Sequence, residues 1–161
     1  MKLIAKHQDA WHSAAGEDGP MVHPVAAPNL LLTLEQWHAV RDTWPAHLPT
    51  GVVVPNDVDI ETLASDLPRL QLIALQFPKW VDGRAYSQAR ILKSRYRYAG
   101  DIRAIGEVLV DMVLLLKRCG FTSAVLRGDQ KREAAERALT FFPGHYQGDT
   151  EVTQPLFARS V

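Results

Sequence analysis

The chain is poor in several things, and each shortage excludes a class of protein. Of its 161 residues only Cys119 is a cysteine, so an internal disulfide framework, a zinc ribbon and a paired-thiol redox centre are all ruled out. It has no net charge, because eighteen Lys and Arg balance eighteen Asp and Glu, and a general nucleic-acid binder is therefore not expected. No apolar run approaches the ~20 residues of a membrane span; the longest, Val108 to Leu116, is broken by Asp111. The opening residues, MKLIAKHQDAWHS, reach charged groups after one brief apolar run, so no signal peptide is expected and the chain reads as soluble and cytoplasmic. GxGxxG, P-loop and GxSxG patterns are missing. The six histidines, His7, His12, His23, His38, His47 and His145, lie outside HExxH or Cys/His-finger spacing, so neither cofactor nor metal is expected.

What the chain does have is a regular alternation of strand and helix signals. At 47% hydrophobic it can bury roughly 70% of its unfolded surface as one ordinary domain. Residues 1–29 stand apart as an N-terminal arm or hairpin: AAGEDGP and PVAAPN are turn compositions, and Lys2 to Ala5 could add an edge strand. Residues 30–161 form the α/β domain. Thr33 is placed to cap a helix carrying Leu34, Trp37, Val40 and Trp44. A β-branched run follows at Gly51 to Val54, then a helix over Asp59 to Leu67 with Ile60, Leu63, Ala64 and Leu67 on one face. Leu70 to Phe77 is the clearest strand. Ala85, Ala89, Leu92 and Tyr96 mark one face of a helix running to Gly100, and Ile102 to Ile105 a short strand. An apolar helix spans Val108 to Cys119, then come a strand at Ser123 to Leu126 and a helix at Gln130 to Phe142. Connections that carry a helix are what parallel neighbours need. The expected architecture is α/β with a mainly parallel sheet, either open and three-layered or a partial barrel.

The zero net charge conceals an asymmetry. Residues 1–78 hold four basic and nine acidic groups, whereas residues 79–103 hold seven basic groups (Lys79, Arg84, Arg90, Lys93, Arg95, Arg97 and Arg103) and two acidic ones. From Arg84 to Arg97 there is no acid at all, although a solvated helix gains from mixed signs. Two readings follow. The arginines pair with carboxylates of the first part such as Asp57, Asp59, Glu61 or Asp66, or they form a patch for an anionic ligand or an acidic protein surface.

The segment FPKWVDGRAYSQAR, Phe77 to Arg90, joins the clearest strand to this basic helix, and ligand sites in parallel sheets lie at strand carboxyl ends. Asp82 reads as an N-cap and Gly83 as a turn residue, with Arg84 and Ser87 beside the free N–H groups of the first turn. Arg103, inside a strand, would be partly desolvated and must be paired, with Asp101, Glu107, Asp111 or Asp82 as candidates, or bound to a ligand that it clamps together with Arg84. Asp111 falls seven positions before Arg118, on one helix face, and calls for a basic partner. Cys119, at a helix carboxyl end, reads as a buried inert thiol. Trp80 sits in the loop and could line a pocket.

The stretch Phe77 to Phe121 resembles the bacterial family known as domain of unknown function 934. The resemblance rests on Asp82-Gly83-Arg84, Tyr86-Ser87, Ala89-Arg90, Gly100-Asp101-Ile102-Arg103-Ala104, Gly106-Glu107-Val108-Leu109, Asp111 and Arg118-Cys119-Gly120-Phe121. It implies an accessory role in assimilatory sulfite reduction, since members are often encoded beside the sulfite or nitrite reductase haemoprotein, which would be the partner. Some members carry an oxidoreductase label, which this chain supports with neither a dinucleotide fingerprint nor a cysteine pair. Three expectations therefore stand. The first is an accessory protein holding an anion or an acidic partner through Gly83, Arg84, Ser87, Arg90 and Arg103. The second is an enzyme acting on a phosphorylated or sulfated small molecule, with Asp82 or Asp111 as acid/base and Arg84 with Arg103 as the clamp. The third is a homo-oligomer in which the tail Val152 to Val161 packs on a neighbouring copy.

Overall fold

The computed structural model describes residues 1–5, 9–16, 19–142 and 144–158, so His7 and the last three residues of the tail lie outside the described residues. Seven strands form one sheet: β1 (Lys2–Ile4), β2 (His12–Ser13), β5 (Leu30–Thr33), β6 (Thr50–Val54), β7 (Leu72–Phe77), β8 (Asp101–Gly106) and β9 (Ser123–Val125). Between β2 and β5 a small antiparallel pair, β3 (Ala15–Gly16) with β4 (Gly19–Pro20), makes the hairpin of the arm. The large sheet runs β1-β9-β8-β7-β6-β5-β2, and every pair is parallel.

From β5 to β9 each strand lies beside its predecessor and always on the same side of it. Crossovers between parallel strands are right-handed, so a sheet that never reverses its winding carries all of them on one face. The outcome is the partial barrel of the two expected architectures, a half-barrel with helices outside. Register follows the same logic. The rows Leu32-Val52-Ile73-Ile102 and Val54-Leu75-Ala104-Ala124 align across the sheet and sink into the core under the helices. Alternate residues face the concave side, where Leu31, Gly51, Leu72 and Asp101 form one row and Thr33, Val53, Ala74, Arg103 and Ser123 the next.

The helices are α1 (Leu34–Val40), α2 (Arg84–Arg90), α3 (Val113–Cys119) and α4 (Arg132–Thr140). Thr33 caps α1 as expected, in a full capping box with Gln36. Other segments depart from expectation for local reasons. Residues 59–67 form no α-helix but two 3-10 turns, Ile60–Leu63 and Leu67–Arg69. Pro68 stands in the second and has no N–H to continue a ladder, and the two turns still bury Ile60, Leu63 and Leu67. Past Arg90, α2 widens into a π-turn over Ile91–Arg95. The apolar run at Val108 starts its α-helix five residues late because its backbone is engaged elsewhere: Arg127 donates to the Val108 carbonyl (2.9 Å) and the Val110 N–H donates to Gln130 Oε1 (3.0 Å). Asp111 thus precedes α3 in a 3-10 turn and shares no helix face with Arg118. Gly106 turns the chain after β8 at φ 94°, where a Cβ would lie 2.4 Å from the Phe77 carbonyl oxygen, so no other residue fits there.

The arm is part of the sheet. Its first strand, β1, is an edge strand paired with β9, and β2 pairs with β5 at the opposite edge. The chain passes from one edge to the other by way of Asp9, whose carboxylate meets Arg103 on the concave face.

Candidate functional site

A cavity of about 570 Å³ opens at the carboxyl ends of β5, β6 and β7. Its walls are built from the residues that end those strands, Thr33, Val53, Pro55 and Gln76, and from the first turns of α1 with Leu34, Glu35, Gln36 and His38. The remaining wall comes from the arm, as Met21 and Val22. Gln36 explains why the arm stays there. Only 3% exposed, it accepts from the Thr33 N–H through Oε1 (2.8 Å) and donates through Nε2 to the carbonyls of Ala14 (3.1 Å) and Met21 (2.7 Å). One buried amide therefore caps the helix and fastens the arm, and three satisfied hydrogen bonds offset its burial. The cavity surface is largely apolar, with the Gln76 amide at the end of β7 and the Glu35 and His38 side chains at its mouth. Among the described residues no Lys or Arg lines it.

Arg103 stands elsewhere on the concave face. It is 4% exposed and fully engaged: Nη1 donates to both Asp9 oxygens (2.8 Å each), Nη2 to Asp101 (2.9 Å) and Nε to Ser123 Oγ (3.1 Å). Asp101 also accepts from the Thr122 and Ser123 hydroxyls. Of the partners expected for Arg103, Asp101 is the one found, and Asp9 was not among them.

The Asp-Gly-Arg loop lies on the other side of the sheet, where α2 packs Ala85 and Ala89 into the core. Asp82 does not cap α2; Gly83 occupies that position at φ −85°, a conformation open to any residue, so the glycine is not needed for the turn. The Asp82 carboxylate instead accepts from the Arg84 guanidinium (2.7 Å), which holds it well below the usual carboxylate range, with the Arg84 N–H assisting against partial desolvation. Arg84 and Ser87 are exposed. Arg90, at the far end of α2, lines a separate groove with Tyr146 and Phe157. Arg84 and Arg103 are each neutralised by their own carboxylates on opposite faces of the sheet, and the shared clamp does not form.

The rest of the basic stretch divides in the same way. Arg95 pairs with Glu61, one of the acidic-half partners expected, while Asp66 pairs with Arg41 (3.2 Å). Asp111 is exposed and makes no ion pair among the described residues; Arg118 approaches Asp149 instead (4.0 Å). Cys119 is half-buried, and burial pushes its thiol up despite Arg90 and Arg118 nearby, which suits an unreactive side chain. Trp80 is 55% exposed and lines none of these hollows. Among the described residues no group of three His, Cys, Asp or Glu could hold a metal, and no helix is long and apolar enough to cross a membrane.

The family model described as Bacterial protein of unknown function (DUF934) matches residues 51–157. The chain belongs to that family. The match takes in Asp82, Arg84, Arg90, Arg103 and Asp111, and of the cavity only Val53, Pro55 and Gln76. Met21, Val22, Thr33 and Gln36 lie before it. No curated protein matches the chain. Reading the charge pattern missed the cavity because its lining is mostly apolar and lies outside the basic stretch, with Glu35 its one carboxylate among the described residues. Two signals for it were present: the Thr33-x-x-Gln36 capping-box spacing, and a polar residue, Gln76, at the carboxyl end of an otherwise apolar strand.

Proposed function

We propose that the protein binds a small uncharged organic molecule with an apolar body in the cavity at the carboxyl ends of β5, β6 and β7. The observation that carries this reading is the cavity itself. At about 570 Å³ it lies within the range of ligand sites, roughly 300–1,000 Å³, and it sits where parallel sheets hold their ligands. Its apolar walls would supply affinity, and the Gln76 amide and the strand-end polar groups would orient the guest. A phosphate, sulfate or sulfite would need a strong cation at the wall; among the described residues the lining holds no Lys or Arg, and Glu35 at the mouth would repel an anion, so the anionic guest expected around Arg84, Arg90 and Arg103 is not the ligand of this cavity. The accessory role in sulfite reduction rests on the family resemblance alone and enters here as a proposal about context: the bound molecule would regulate or recruit the protein rather than be the anion that is reduced.

The test is a panel of matched small molecules, benzamide and nicotinamide against benzoate and phenyl phosphate, followed by thermal shift and by amide chemical shifts. The neutral compounds should raise the melting temperature and shift resonances of Thr33, Val53 and Gln76, with the charged analogues at least tenfold weaker. Gln76→Trp, at an exposed position, should fill the mouth and abolish the response without lowering stability. Equal binding of the anions, or full binding by the Gln76→Trp variant, would overturn the reading.

A further inference from the structure

On the outer side of the molecule we infer a second binding surface, a docking groove for an acidic, aromatic-containing peptide segment of a partner protein, formed between α2 with its π-turn and residues 144–157. This surface is independent of the cavity. Two separate observations meet there.

The first is a set of large apolar side chains, four of them aromatic, left outside the core. Phe141, Phe142, Tyr146, Val152 and Phe157 are all exposed, and Tyr146 (68%) and Phe157 (70%) lean together with ring centroids 5.3 Å apart. Tyr146, Val152 and Phe157 belong to the segment 144–157. It is tied to α3 by Thr150, whose N–H and Oγ1 both donate to the Arg118 carbonyl (3.2 Å each), while within it Asp149 accepts from the N–H groups of Glu151 (2.9 Å) and Val152 (2.7 Å). A segment that turns its largest apolar groups to water has the composition of an interaction surface, since aromatic and arginine side chains dominate interface cores.

The second is uncompensated positive charge on the facing wall. In the basic stretch Arg84, Arg95 and Arg103 are neutralised, whereas Arg90 and Lys93 make no ion pair among the described residues. Arg90 and Ser94 line the groove of about 430 Å³ beside Tyr146 and Phe157, and Lys93 lies nearby against Gly120. The wall therefore offers a cation next to a ring pair, complementary to a carboxylate next to an aromatic or large aliphatic side chain. A nucleic-acid strand fits less well, because among the described residues the groove offers the single guanidinium of Arg90, enough for one carboxylate beside an aromatic ring but not for a run of successive phosphates.

The experiment uses the full chain and a fluorescein-labelled eight-residue peptide with Phe at its centre and Asp and Glu on both sides, read by anisotropy. Control probes replace the acids by Asn and Gln, replace Phe by Ser, or are oligothymidylate. Saturable binding that is at least tenfold tighter for the acidic peptide than for either control peptide, and that weakens as salt rises, is the expected result. Arg90→Glu and Tyr146→Ser, both at exposed positions, should each weaken it at least tenfold, and Gln76→Trp should leave it unchanged, which separates this surface from the cavity. No saturable binding up to 1 mM (an order-of-magnitude ceiling for a specific site), insensitivity to Arg90→Glu, or tighter binding of oligothymidylate would overturn the inference. Self-association seen by light scattering and removed by Arg90→Glu would make the occupant another copy of this chain and overturn it equally.

Discussion

A guanidinium on the inner face of a parallel strand cannot stay unpaired, and three side chains answer that of Arg103: Asp9, Asp101 and Ser123. Of the two readings the sequence left open for Arg103, pairing and a ligand clamp, the structure shows pairing. Replacing Arg103 by Met would leave two carboxylates facing each other under the arm, and removing one partner of a buried pair costs about 3–5 kcal/mol. Asp9→Asn should cost less, about 1–2 kcal/mol, because Asp101 still neutralises the arginine and the amide still accepts a hydrogen bond. Urea unfolding checks both, with midpoints that fall in that order at an unchanged slope; equal losses, or no loss for Arg103→Met, would mean that the network is not what holds the arm. Asp101 was legible as a partner because two positions along a strand means the same face. Asp9 was not, because it lies ninety-four positions away and no local pattern encodes a contact of that separation.

At the scale of elements, the strands were the most legible part, since the runs at Gly51–Val54 and Leu72–Phe77 are apolar on both faces as a buried parallel sheet requires. Helix lengths were less legible, because apolar periodicity reports which residues are buried and not which hydrogen bonds the backbone makes; Val108 to Met112 is as apolar as α3 and bonds to the segment after β9 instead. The junction of β7, α2 and α3 is sealed by Tyr86, edge-on to Phe77 (5.2 Å) and to Phe121 (6.3 Å). Burial there, and the neighbouring Cys119, push the Tyr86 phenol from 10.0 up to about 12. The folded state therefore holds this proton more tightly than the unfolded chain. Stability associated with it is complete below pH 10 and declines as pH climbs toward 12. An absorbance titration of the folded protein should show fewer than four phenolates at pH 11, although the chain has four tyrosines, with the missing absorbance appearing only on unfolding. Tyr86→Phe should leave the trace below pH 11 unchanged; a loss of absorbance there would mean that Tyr86 already ionises in the ordinary range.

Across the whole molecule, the acidic first half and the basic middle are folded against each other only in part, through Arg95 with Glu61 and Arg103 with Asp9. That partial cancellation is why a charge count could neither locate a clamp nor dismiss a surface: it cannot say which arginines face inward. The same holds for the arm. Its turn-rich composition set residues 1–29 apart, yet the structure makes it the feature that closes the concave face, supplying β1 at one edge, β2 at the other, Asp9 in between and Met21 with Val22 at the cavity. Deletion of residues 1–13 tests this directly. It removes the buried Leu3 side chain, worth about 1.5–3 kcal/mol, and leaves Arg103 with one carboxylate, so stability should fall by about 3 kcal/mol or more. Leu72 and Ala74, buried on the concave face beside Arg103, should become accessible to a hydrophobic dye, whereas Asp9→Asn alone should expose them little. A truncated chain that keeps its stability within about 1 kcal/mol and binds no dye would show that the half-barrel closes without its arm, and the cavity wall at Met21 would then be incidental to the fold.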